Sequence, residues 1–187
     1  MNKKTLALTE EQFKEVIETM REGFTGCRPN IRVATALVIE ANLGLRISDI
    51  LKLRLSSIIK DGERYRLDIV EQKTGKRRTF TVPVVIYNYI KMYTLENGIK
   101  PNDIIFPLTE RAIQKQLKLV VDFLEFEGVG THSFRKFYAT RIYNQNGHNI
   151  ALVQQLLQHS SPMVTQRYIG IESKKLEEAI EQHICLI

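Results

Sequence analysis

The sequence predicts a mainly α chain carrying one small antiparallel β-sheet, an α+β fold. Apolar residues recur at helical spacing through most of the 187 residues. The spacing gives way to alternation only between Tyr65 and Val82, and Gly44, Gly98, Gly128 and Gly147 punctuate the helical stretches. No internal repeat, low-complexity tract or long linker divides the chain, so residues 1–187 read as one domain.

Phe13, Val16, Ile17 and Met20 mark a first helix, and Thr9 with Gln12 has the form of a capping box at its start. Ile31, Ala34, Leu37, Val38 and Ala41 mark a second, which Gly44 stops because glycine tolerates the left-handed cap conformation. The segment ISDILKLR resumes helical spacing, so Arg46 falls at a helix junction. Tyr65, Leu67 and Ile69 alternate with Arg66, Asp68 and Val70, and Thr79 to Val82 suit a second strand, with QKTGKR as the hairpin turn and Gly75 supplying a positive φ.

Beyond Pro83, Val85, Ile86, Tyr89, Ile90 and Tyr93 form one helical stripe, and Ile113, Leu117, Val120, Val121 and Leu124 another. Thr131 is the expected N-cap of a helix through HSFRKFYATRIYNQ that Gly147 ends. A short helix through Leu152, Val153, Leu156 and Leu157 stops near His159, and Leu176, Ala179, Ile180 and Ile184 give the last segment an apolar face.

The formal charge of +6 favours a polyanionic partner, since neutralising phosphates releases counterions. Cys27 and Cys185 form no CxxC or Cys/His pattern, which argues against a structural metal or a disulfide framework. The opening MNKKTLALTEEQF has too short an apolar stretch for a signal-peptide core, and no apolar run approaches membrane-spanning length. A cytoplasmic protein without a membrane partner is expected.

Taken singly, Arg46, Lys73, His159 and Tyr168 each have an ordinary structural explanation. His132 and Arg135 carry more weight, because a spacing of three places both on one helix face, and the helix N-terminus beside His132 offers N–H groups and a positive dipole end to a phosphate. Four blocks then stand in order: GLRISDILKLR, QKTGKRR, THSFRKFYATRI and LLQHSSPMVTQRYIG.

This order resembles the signature of the tyrosine recombinases, or phage integrases, from about the second helix to the chain end. The resemblance implies the DNA breaking-rejoining catalytic-domain fold and site-specific recombination or integration through a covalent 3′-phosphotyrosyl intermediate. Residue by residue, Arg46 matches the first catalytic arginine, Lys73 the hairpin lysine, His132 and Arg135 the H-x-x-R pair, His159 the next position and Tyr168 the nucleophile. Three neighbours depart from the common pattern: Asp49 stands where glutamate is frequent, Lys136 where a second histidine is frequent, and Gln158 where glycine is frequent.

These residue types suit the chemistry. Arg46 and Arg135 can each give two parallel hydrogen bonds to the phosphate oxygens that gain charge, and His159 adds a donor. Tyr168 needs a base, for which His132 is the candidate, or a cationic pocket that lowers its pKa from about 10. Lys73 is the expected general acid for the leaving 5′ oxygen. The guanidinium groups take the electrostatic part that a metal plays in many nucleases, so no metal, cofactor or small-molecule substrate is expected.

Lys76, Arg77, Arg78, Lys136, Arg141 and Arg167 are the expected DNA-facing basic residues. Double-stranded DNA is the expected partner, and exchange between two duplexes requires four cleavages, hence a homotetramer. The tail 172–187 either packs on its own core or docks on a neighbouring protomer. The separate N-terminal DNA-binding domain usual in the family is not expected within this chain. Type IB topoisomerase-like nicking and resealing, or a non-catalytic DNA-binding module, are the competing readings.

Overall fold

The computed structural model describes residues 5–70, 75 and 77–170. Lys73, Lys76, the Arg78 side chain and the 172–187 tail lie outside the described residues.

Helix α1 (Glu10–Glu22) starts with the expected capping box: the Thr9 side chain accepts from the Gln12 N–H, and the Gln12 side chain from the Thr9 N–H, both at 3.1 Å. Helix α2 (Ile31–Leu43) is capped by Asn30 and ends at Gly44, whose φ is 60°. That glycine is doubly required. A Cβ there would meet a left-handed backbone penalty and lie 2.3 Å from Cδ1 of Tyr138. Most of α2 is buried, as its nearly continuous apolar run ATALVI demands.

The helix expected over ISDILKLR is short. Only α3 (Ile47–Ile50) is helical, with Arg46 as its N-cap, before the chain turns into β1 (Ile58–Asp61), β2 (Arg64–Val70) and β3 (Arg77–Val82). The sheet has three antiparallel strands in the order β1-β2-β3, where alternation had indicated two. The extra strand pairs Ile58 with Leu67 across a turn at Gly62, whose φ is 64°. Asp61-Gly62 between apolar runs is a hairpin signal that escaped the pattern because β1 is only four residues long.

Helices α4 (Val84–Glu96) and α5 (Glu110–Phe123) follow the expected stripes. In α6 (Thr131–Gln145) the N-cap is Gly130, not Thr131, which is itself the first helical residue; the Ser133 side chain accepts from the Gly130 N–H at 3.1 Å. Two short helices complete the described chain, α7 (Ile150–Leu157) and α8 (Pro162–Ile169). Helix α8 lacks a clear apolar period and was not anticipated, although Ser161 as N-cap and Pro162 in the first turn are start signals.

The apolar side chains fall into two clusters. The main core joins α1 to α6 and the sheet through residues such as Met20, Leu37, Ile50, Leu67, Ile90, Phe106, Ile113 and Phe134. Phe13 stacks on Phe137 at 4.9 Å and locks α1 to α6. A smaller cluster of Ala139, Tyr143, Val153 and Leu157 holds α7 and α8 on the far half of α6, and Tyr168 and Ile169 pack against it.

Candidate active site

Arg135 is 2% exposed and bridges two helix ends. Its guanidinium donates to the Gly44 carbonyl at the end of α2 and, at 3.2 Å, to the Leu157 carbonyl at the end of α7. Both acceptors are terminal carbonyls that lack a helical partner and carry the negative end of a helix dipole, so a fixed cation is stabilised there. Arg46 is half-buried just past Gly44. The left-handed turn at Gly44 therefore serves twice: it presents a carbonyl to Arg135 and starts the segment that carries Arg46.

His159 follows Gln158, which holds a left-handed φ of 53° where α7 stops. Its Nδ1 lies 3.1 Å from Oγ1 of the fully buried Thr165 on α8, and its ring meets the Tyr168 ring edge-on with centroids 5.0 Å apart. Thr165 Oγ1 in turn donates to the Ser161 carbonyl at 3.4 Å. With that bond made, Nδ1–H of His159 donates to Thr165 and Nε2 faces away from it.

Tyr168 is half-buried, but its hydroxyl is sealed from water and has no hydrogen-bond partner of good geometry. Burial pushes its pKa up to about 12; the Arg135 charge, a weak hydrogen bond from it and the Arg46 charge pull the other way, while Glu40 adds to the rise. The cationic pocket expected to lower this pKa is present, and desolvation outweighs it.

Arg46, Arg135, His159 and Tyr168 thus converge on one site. His132 sits exposed in the first turn of α6. Lys73 lies outside the described residues.

The basic residues expected to face DNA divide. Arg77 is exposed and lines an open cleft of about 710 Å³ with Gln154, Gln155, Gln158 and His159. Arg167 is exposed in the last turn of α8. Arg141 instead pairs with Glu10 on α1 at 3.3 Å. Lys136, expected on the surface, is 7% exposed: its Nζ donates to the Thr5 carbonyl at 2.6 Å and lies 5.2 Å over the Tyr168 ring. A lysine stem buries readily when its ammonium finds a carbonyl and an aromatic face, which accounts for the difference.

Sequence reasoning missed two residues near the site, Thr165 and Glu40. Glu40 is fully buried on α2. Its sequence signal is a lone acid inside an apolar run, ATALVIEANL. Among the described residues no three His, Cys, Asp or Glu side chains cluster as metal ligands, and no helix is long and apolar enough to cross a membrane.

A family model described as the phage integrase family matches residues 7–175. A probable integrase/recombinase, YoeC of Bacillus subtilis, is 33% identical over 138 residues, covering 70% of this chain and 73% of the relative. The tyrosine recombinase XerA of Pyrococcus furiosus is 30% identical over 184 residues, covering 94% of this chain and 61% of that protein. Among solved structures, the XerH site-specific recombinase bound to palindromic difH substrate, a post-cleavage complex, superposes with a TM-score of 0.70 at 24% identity, over 96% of this chain and 53% of the other. The chain therefore spans between about half and three quarters of the length of these three proteins.

Proposed function

Because the chain belongs to the phage integrase family, we propose that it cleaves and rejoins DNA at specific sites as the catalytic portion of a tyrosine recombinase, with Tyr168 as the nucleophile. The observation that carries this reading is the Tyr168 hydroxyl itself, sealed from water, without a good hydrogen bond, and within the fields of Arg135 and Arg46. A structural tyrosine finds a partner for its hydroxyl; one left waiting needs an explanation.

A scissile phosphate entering beside Arg46, Arg135 and His159 brings the missing acceptor. The two guanidinium groups neutralise charge as it grows on the non-bridging oxygens, and Nε2 of His159, when protonated, gives a further bond. His132 takes the Tyr168 proton, and Lys73 protonates the 5′ oxygen that leaves. The P–O bond to that oxygen breaks as the bond to Tyr168 forms, and the ester conserves the energy needed for rejoining. Arg77 and Arg167 extend the cationic surface along the duplex.

Recombination between two duplexes takes four such cleavages, so the working assembly is a tetramer on DNA, and the cytoplasm is where its substrate is met. The test is incubation with a nicked suicide substrate in EDTA, followed by denaturing gel detection of a protein–DNA adduct. An adduct with wild type and none with Tyr168→Phe is expected. An adduct that persists in the Phe variant overturns the assignment.

A further inference from the structure

Glu40 is the one acid of α2, 0% exposed, and neither carboxyl oxygen has a well-formed hydrogen bond among the described residues. Burying a carboxyl in this way is costly unless it is paired or neutral. It stands one helical turn before Gly44: the Glu40 carbonyl accepts from the Gly44 N–H at 2.9 Å, and the Gly44 carbonyl is the one that Arg135 grips. We propose that Glu40 is a positioning residue for strand cleavage, whose buried carboxyl sets how much of the Arg135 charge reaches Tyr168 and the scissile phosphate. This rests on the cleavage reading above.

The surroundings decide what its charge does. From α6 it meets the field of Arg135, and from the first turn of α5 that of Glu110; α8 contributes Tyr168, which feels the Glu40 charge in turn. Around α3 stand Arg46 and the buried Asp49, while α1 buries only the apolar Val16, Ile17 and Met20. Burial pushes the Glu40 pKa well above the ordinary carboxylate range; Arg135 opposes this, Glu110 adds to it, and the Ile47 N–H opposes it slightly. Protonated, Glu40 leaves the Arg135 charge to the site. Ionised, it draws Arg135 toward α2 and opposes formation of the Tyr168 phenolate.

The consequence is a pH signature that a purely structural residue lacks. Rates of adduct formation on the suicide substrate are compared for wild type and Glu40→Gln from about pH 6 to about pH 9, where a nearby charge is worth roughly one pKa unit. The ratio of variant to wild-type rate should climb with rising pH, by up to roughly three- to ten-fold, because the variant lacks the carboxyl that burial holds protonated beyond the ordinary carboxylate range. A ratio that stays level while wild type forms adduct overturns the proposal and leaves the cleavage reading intact. Should Glu40→Gln unfold, Glu40→Met, apolar and of similar length, carries the same expectation.

If wild type forms no adduct at any pH, the cleavage reading fails instead. The charge coupling is then read directly by carbon-13 tyrosine NMR, with Tyr168→Phe assigning the signal. A Tyr168 phenol that ionises at lower pH in Glu40→Gln than in wild type supports the proposal, and an unchanged titration overturns it.

Discussion

Replacing Tyr168 by phenylalanine removes a hydroxyl that is buried without a good partner. It should therefore cost little stability at neutral pH, or none. At alkaline pH the two proteins should diverge. The folded state holds the Tyr168 proton up to about 12, against an ordinary value of 10.0. With the folded pKa raised, the wild-type fold keeps its full stability below the unfolded value and loses it as pH rises from there through the folded value. Two units correspond to a ceiling of about 2.7 kcal/mol, reduced to the extent that the partly exposed ring admits solvent. At pH 11, midway, linkage gives about 1.4 kcal/mol. Urea unfolding followed by far-UV circular dichroism at about pH 8 and about pH 11 measures this, because every other titrating group is shared and cancels in the difference. The gap should widen in favour of Tyr168→Phe by about 1 kcal/mol or more. A gap constant to within about 0.3 kcal/mol would mean that the hydroxyl is solvated like any surface tyrosine, and would refute its burial.

Further outcomes follow from the geometry around it. Gly44→Ala forces a side chain into a left-handed residue and against the Tyr138 ring. It should destabilise the fold by about 3 kcal/mol or more, seen as a lower unfolding midpoint, and weaken adduct formation by shifting the carbonyl that Arg135 holds. Gln158→Gly relieves a positive φ and removes a buried amide oxygen without a partner, so a stabilisation of about 1 kcal/mol is expected in the same assay. An unchanged or lowered midpoint would show that the glutamine side chain offsets its backbone cost. Thr165→Val preserves shape but strips the His159 Nδ1 partner. The adduct rate should fall roughly ten-fold, with a stability loss of only about 1 kcal/mol; an unaffected rate would show that His159 needs no such anchor.

The parts of this fold that periodicity revealed are those in which one face of a long element is apolar. Helices α1, α4 and α5 were legible in this way, as were the stop at Gly44 and the placing of Arg46 at a junction. Strand β1 was not, because four residues carry too little pattern, and helix α8 was not, because it lacks the apolar stripe that made the equally short α7 legible; their signals lie in Asp61-Gly62 and Ser161-Pro162. Arg46, Arg135, His159 and Tyr168 were legible as an ordered set, and the structure brings them together. What sequence could not disclose was which charges are interior. Lys136 read as a surface cation, yet it is closed over the Tyr168 ring; Arg141 is exposed as expected and pairs with Glu10. The burial of Glu40 depends on the helices packed around α2, which no local pattern records.

The division of the apolar interior into two clusters also bears on how such a site can change over time. Helix α6 straddles both: Phe134 and Phe137 belong to the large one, Ala139 and Tyr143 to the small one that carries α7 and α8. The tyrosine is thus delivered by a satellite unit, whereas Arg46 is rooted in the body of the domain. Units of such unequal size open with unequal ease, and the smaller one is the less costly to perturb. Substitutions at Val153 or Leu157 would then retune how often the hydroxyl is presented while leaving the main body of the fold as it was. The presentation of the Tyr168 hydroxyl and the stability of the main body can therefore vary separately.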